Sequence, residues 1–436
     1  MQSAATPPRK WLLVAALLIL CAIPFFRSYD HRAEPLDEDE IYWVGQSYYF
    51  HLAFESRDWT HPDWQLLPAR ENPVLGKYVI GFGLRLAGLS VTRPDWLGIF
   101  YIIAKDRPNA WGNARDQAER QAVLDRMETA TRDRAIVQGQ FEHPPAFITA
   151  ARAIMLLFGM LATALLFALA SLYTKPLAAF LAATAFALHP AVATAYSEVG
   201  VDILAIAFSL LAVLHFALIE RGIWRRTAHP ALTRALLCGG GGLSLAFAVG
   251  SKMNAVVIGF LGAALLLILA GKFLRHRAAA ARESAAVLLG ALVVSLIIFI
   301  AANPGNYPNP VRGVRANYAD QQRSLEVQKG IPAKRKPLRT AGERLRAIAT
   351  LTAFHPAAFA LVVAATAWTL FASRRAGGTL PLIALWWLIA FVMVTVWLPF
   401  ARPRYALPVI APAMILLAIA GCGVVDWLRQ KKSTPR

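Results

Sequence analysis

Acidic residues are scarce over most of this chain: eighteen of its 26 Asp and Glu lie between Asp30 and Glu142, which leaves eight for all the rest against 45 Lys and Arg. The formal net charge of +19 would suit a polyanionic partner if the cations lined one polar face. They fall instead in short clusters between apolar runs, the pattern of cytoplasmic loops, so nucleic acid is not the expected partner. Cysteine is nearly missing too. Cys21, Cys238 and Cys422 all sit inside apolar runs, far apart and without metal-ligand spacing, which excludes a disulfide framework and a zinc knuckle. No phosphate-loop glycine pattern occurs, which argues against nucleotide binding. No small-x-small cleavage pattern follows the apolar run Trp11 to Phe26 behind Arg9 and Lys10, so an uncleaved first span is expected rather than a signal peptide. Internal repeats are absent.

What the chain has in abundance is apolar sequence. A mean hydropathy of +0.46 and a 57% hydrophobic share over 436 residues exceed what a soluble protein carries. A helix needs about 20 apolar residues to cross the hydrocarbon. On that rule spans fall near 11–27, 148–173, 177–195, 199–219, 234–250, 254–271, 284–302, 348–372, 379–398 and 405–427. The expected fold class is an all-α polytopic membrane protein of about ten transmembrane helices, forming a single transmembrane domain over 1–436.

Lysine and arginine are retained on the cytoplasmic side. Arg9/Lys10, Lys175, Arg221/Arg225/Arg226, Lys272 to Arg282, Arg374/Arg375 and Arg429 to Lys432 all fall on one side of this alternation. Both termini are then cytoplasmic, and a bacterial inner membrane is the expected location. The opposite, outer side receives a large first loop, 28–147, and a second loop, 303–347. Within the first, Val74 to Leu89 is expected as a helix lying at the interface, and Asn113 to Gln138 as a solvated, charge-rich helix.

Five clusters invite chemistry. Asp37-Glu38-Asp39-Glu40 packs four acids just after the first span. They repel one another unless they face cations or do chemistry, and Ile41-Tyr42-Trp43 would hold them at the membrane interface. Asn72-Pro73-Val74-Leu75-Gly76-Lys77 starts a helix at Pro73 and places an ammonium one turn in, where a phosphate headgroup would lie; an ordinary snorkelling lysine is the alternative. Arg152, one turn inside the second span, would cost roughly 2.5–3.5 kcal/mol at a helix centre and therefore needs a partner. Glu198 and Asp202 share a helix face and could supply it, as a structural pair or as a site. Lys252 sits in the turn after the fifth span, behind Gly239 to Gly242, whose role is close helix packing. Arg402 and Arg404 lie on the outer side, where cations are unusual, and together suit an anion.

These residues, in this order and spacing, resemble the protein O-mannosyltransferases and their relatives in the GT-C superfamily, including the bacterial aminoarabinose transferases of lipid A. In the mannosyltransferases an Asp-Glu pair early in the first outer loop is followed by a His-Pro-Pro-Leu-Gly-Lys-like segment; here Asp39-Glu40 and Asn72 to Lys77 match the two. Arg152, Ser197 to Asp202, Gly250-Ser251-Lys252-Met253, Asn303 to Pro310 and Arg404-Tyr405 extend the likeness over most of the chain. Asn72 and Val74 replace the family's histidine and second proline, and Glu198 stands where arginine is usual. The second loop is too short for the soluble domain that eukaryotic members carry there.

The resemblance implies transfer of a sugar from a polyprenyl-phosphate donor to a hydroxyl of a protein, lipid or glycan on the outer face, with inversion. Asp39, with Glu40 second, is then the base that takes the hydroxyl proton. Lys77, Arg152, Arg404 and Lys252 are the cations that stabilise the departing phosphate. Asp202, Glu198, Asn72 and Tyr405 support them. No motif calls for a cofactor, and a divalent cation beside the acids stays open. The rival reading, a transporter or lipid flippase, would gather its charges near the bilayer midplane on repeated, broken helices, whereas these gather at the outer ends.

Overall fold

The computed structural model describes residues 8–29, 38–94, 144–307, 309–329, 337–353, 356–375 and 382–433. The expected helix Asn113 to Gln138 lies outside them. Among the described residues the chain is helical, with one isolated bridge between Pro337 and Phe400. In chain order the helices are α1 (Pro8–Tyr29), α2 (Glu38–Gln46), α3 (Tyr48–Phe50), α4 (Leu67–Glu71), α5 (Leu75–Leu86) and α6 (Pro144–Ser171). Next come α7 (Pro176–Leu188), α8 (Pro190–Ser197), α9 (Asp202–Glu220), α10 (Pro230–Ser251), α11 (Val256–His276) and α12 (Ala279–Ala301). The last are α13 (Pro310–Lys329), α14 (Ala341–Ala353), α15 (Pro356–Arg375), α16 (Leu382–Trp397) and α17 (Pro403–Ser433).

Six of these, α6, α9, α10, α11 with the turn before it, α12 and α17, are long and apolar enough to cross a membrane alone. The other segments read as spans are built differently. α1 and α16 are apolar over shorter stretches, and the expected span 177–195 is two helices, α7 and α8, bent by 63°. The cause is local: Pro190 brings no N–H, the residue before a proline avoids helical backbone, and His189 accordingly adopts φ −64°, ψ 126°. Its Nδ1 then accepts the Ala191 amide at 3.2 Å and caps α8. The expected span 348–372 likewise divides, between α14 and α15.

Packing neighbours run α12, α10, α9, α6, α7, α17, α16, α11 and back to α12, closing a ring, with α1 against α6 and α7 and α15 against α17. α9 is apolar all round and buries Ile203, Leu204, Leu210, Val213 and Phe216, as a helix enclosed by others must. α12 instead exposes Leu289, Val293, Leu296 and Ile297. In water each would forgo about 1.5–3 kcal/mol of burial; against lipid tails nothing is lost. The glycine run of α10 brings backbones together: a Cβ on Gly242 would lie 2.7 Å from the Ala291 carbonyl of α12.

The first loop folds back onto this ring. α5 forms within the segment expected as an interfacial helix, burying Leu75, Tyr78, Ile80 and Leu84 while Phe82 and Leu86 stay exposed. Its tie to the second loop is Asn303, which accepts the Val74 amide through Oδ1 at 3.0 Å and donates through Nδ2 to the Phe299 carbonyl at 2.5 Å. Tyr78 adds a hydroxyl hydrogen bond to the Ala302 carbonyl at 3.0 Å. The loop's own knot is Asp63, fully buried, which takes Arg93 on both oxygens (2.8 and 3.2 Å) and the Tyr48 hydroxyl at 3.2 Å.

Candidate active site

Glu40, in the first turn of α2, is 1% exposed and has both oxygens engaged. Arg152 of α6 donates Nε to one at 2.8 Å and Nη2 to the other at 2.5 Å. The Val199 amide, between α8 and α9, donates to the first of these oxygens at 2.8 Å. The two-point geometry satisfies a buried carboxylate and a buried guanidinium at once. It also changes the pairing read from the sequence, since Arg152 turns to Glu40 rather than to Asp202. Asp39 lies one residue earlier in α2; its side chain is outside the described residues.

The second motif docks beside the first. A Cβ on Gly76 would lie 2.7 Å from the Val201 side chain and 3.3 Å from the Ser251 backbone, so only glycine lets α5 approach the junction of α9 and α10 this closely. Lys77 follows, completely buried. Its ammonium donates to the Pro68 carbonyl and, at 2.7 Å, to the Asn72 carbonyl, and lies 5.3 Å from the Tyr49 ring centre. Asn72 thus serves through its backbone, at the end of α4.

At that junction Lys252, which ends α10, pairs with Asp202, which opens α9. Both line a narrow cleft between α9, α11, α16 and α17. Arg404 lines it as well, and below these three groups the walls are apolar: Ile206, Leu210, Val257, Ile258, Leu407 and Pro408. Trp386, the buried aromatic of the wall, has an indole N–H without a hydrogen-bond partner among the described residues, and so does the buried Ser251 hydroxyl next to Lys252. Arg404 rests 5.8 Å from the ring centre of Tyr405, which meets Trp397 edge-on at 5.6 Å. Pro408, one turn on, has no N–H to give the Arg404 carbonyl.

Of the four expected phosphate cations, Lys252 and Arg404 therefore share a cleft, while Lys77 and Arg152 are held by groups of the first loop and lie off its walls. Glu198 is half-buried at the end of α8. Among the described residues no three His, Cys, Asp or Glu side chains gather as a metal site. Trp386 and Asp63 escaped the sequence reading, while Ser251 and Asn303 entered it only within segments that carry the likeness. Asp63 alone carried a signal, as an acid set between Pro62 and Trp64 in an aromatic stretch.

No family model and no curated protein sequence matches the chain. Solved structures do. ArnT from Cupriavidus metallidurans bound to undecaprenyl phosphate superposes with a TM-score of 0.53, at 16% identity over 98% of this chain and 63% of that one. The archaeal oligosaccharyltransferase AglB from Archaeoglobus fulgidus, in complex with an inhibitory peptide and a dolichol-phosphate, gives 0.55 at 14% identity over 98% and 52%. The chain spans less than two thirds of either protein's length. At these identities the likeness is one of fold alone: the chain shares the helical architecture of these proteins.

Proposed function

We propose that the protein is a membrane glycosyltransferase that moves a sugar from a polyprenyl-phosphate donor to a hydroxyl acceptor on the outer face. The observation that carries this reading is the cleft whose mouth holds Lys252, Arg404 and Asp202 above an apolar wall. An isoprenoid tail needs such a wall, and a phosphate at its head needs two cations in a partly desolvated place, where charge-assisted hydrogen bonds are strong. The Trp386 indole N–H on that wall, which has no hydrogen-bond partner among the described residues, is a further donor for phosphate or sugar oxygens. The presence of undecaprenyl phosphate in the ArnT structure supports the same donor chemistry.

In this reading the acceptor oxygen attacks the anomeric carbon as the bond from that carbon to the phosphate oxygen breaks. The hydroxyl proton passes to the Asp39 carboxylate, and the bonding pair leaves with the phosphate, whose charge Lys252 and Arg404 stabilise. A single displacement inverts the anomeric centre. Glu40 and Arg152 hold α2 in place, and Lys77 fixes the backbone of α4. Purified protein in bilayer discs, given radiolabelled donor lipid and a membrane extract as acceptor, is expected to form a covalent glycoconjugate. Movement of the lipid without a covalent product would overturn the reading in favour of transport.

A further inference from the structure

A second cleft opens between the first and second loops, with about 1220 Å³ of non-protein space including the solvent at its mouth. Trp59, His61 and Arg70 come from one side, Tyr307 and Arg312 from the other. The two sides touch at the backbone: a Cβ on Gly305 would lie 2.8 Å from the Trp64 carbonyl. The cleft is therefore built into the contact between the loops rather than left by loose packing.

Three features define what it would bind. None of the described residues that line it is acidic, and buried Asp63 lies next to Trp64 in sequence without joining the lining. Aromatic residues from both loops, Trp59, Trp64 and Tyr307, line it. Tyr307 has its hydroxyl committed to the Ala301 carbonyl at 2.5 Å and its ring partly exposed, while Trp59 is half-buried. Arg312 stands in the first turn of α13, a turn with no acidic residue, where the helix dipole favours an acid and opposes a cation. An exposed guanidinium placed against that preference suits a bound anion, and its planar fork matches a carboxylate or phosphate.

We propose that this cleft binds a negatively charged saccharide, its rings against Trp59 and Tyr307 and its carboxylate or phosphate on Arg312 and Arg70. Resting on the glycosyltransferase reading above, it is the acceptor-side site, and it narrows the acceptor to an acidic glycan. Flat amphipathic rings suit sugars because one face of a pyranose is a patch of C–H groups, while Gln65 and Asn309 at the walls meet its hydroxyls.

The test uses the full chain in phosphatidylcholine discs, titrated with tetragalacturonate and with its fully methyl-esterified counterpart, which keeps the rings and loses the charge. Tryptophan fluorescence and calorimetry are expected to show the acid bound about tenfold more tightly than the ester, an advantage that Arg312→Gln removes. Trp59→Ala is expected to weaken both ligands alike. Equal affinities, no binding of either, or an unchanged Arg312→Gln variant would overturn the proposal. So would loss of tetragalacturonate binding when phosphatidylglycerol replaces phosphatidylcholine, because the arginines would then serve lipid headgroups. Undecaprenyl phosphate binding, measured on the same samples, keeps the two readings apart. Arg312→Gln is expected to retain it, whereas failure of Lys252→Ala to weaken it would sink the donor site without touching the saccharide result.

Discussion

Glu40 and Arg152, 112 residues apart in the chain, meet as a buried two-point ion pair that fastens the start of the first loop to α6. Removing one partner strands the other's charge, at a cost of about 3–5 kcal/mol, whereas replacing both by apolar groups of similar size is often neutral. Glu40→Gln and Arg152→Met are therefore each expected to lower the thermal unfolding midpoint in detergent strongly. The double variant Glu40→Met/Arg152→Met should recover most of the loss. Single variants that unfold like the wild type would mean the pair is not a fastener.

Asp39 and its neighbour separate in the same experiment. Asp39→Asn is expected to abolish sugar transfer, by at least about a hundredfold as for loss of a general base, while leaving stability and donor affinity near wild type. Equal loss of donor binding would remove Asp39 from the role of base.

For the donor phosphate, Lys252→Ala and Arg404→Ala should each weaken undecaprenyl phosphate binding about tenfold or more, the scale of one hydrogen bond to a charged group. Lys252→Ala also leaves Asp202 facing the cleft without its cation, so its loss is expected to be the larger. Microscale thermophoresis on protein in discs would rank the two. The reverse order would show that Arg404 carries most of the phosphate's charge.

Close approach at the site makes a steric prediction. A Cβ on Gly250 would sit 2.3 Å from Leu75 Cδ1 and 3.0 Å from its Cβ, so Gly250→Ala forces α5 off α10. Overpacking of this kind costs typically 1–3 kcal/mol. Adding Leu75→Ala should restore part of the stability, and a double-mutant cycle on unfolding midpoints would measure the coupling. Additive effects would refute the contact.

The membrane class and the segments that meet at the junction were legible from the sequence, because a lipid-facing helix must be apolar over a fixed length and a charge near its end is conspicuous. Glu40, Asn72 to Lys77, Arg152, Asp202 and Lys252 stood out for that reason. Who pairs with whom was not legible. Arg152 had a plausible acid in Asp202, and nothing local says that α2 delivers Glu40 first. Lys77 looked like an interfacial cation because its acceptors are backbone carbonyls, which every residue has. The break at His189 was hidden inside an apolar run long enough to pass as one span. Trp386 read as an ordinary residue of a hydrophobic helix, since burial without a partner is a property of three-dimensional surroundings.

The amide of Asn303 that holds Val74 sets a schedule for making the protein. Val74 leaves the ribosome 229 residues before its partner does. At roughly 5–20 residues per second, that is a wait on the order of ten to forty-five seconds. During that interval the first loop lacks the strap that later ties it at Val74, just before α5. Completion of the loop is thus a late event, governed by the synthesis of α12 and the residues just after it rather than by the loop's own translation.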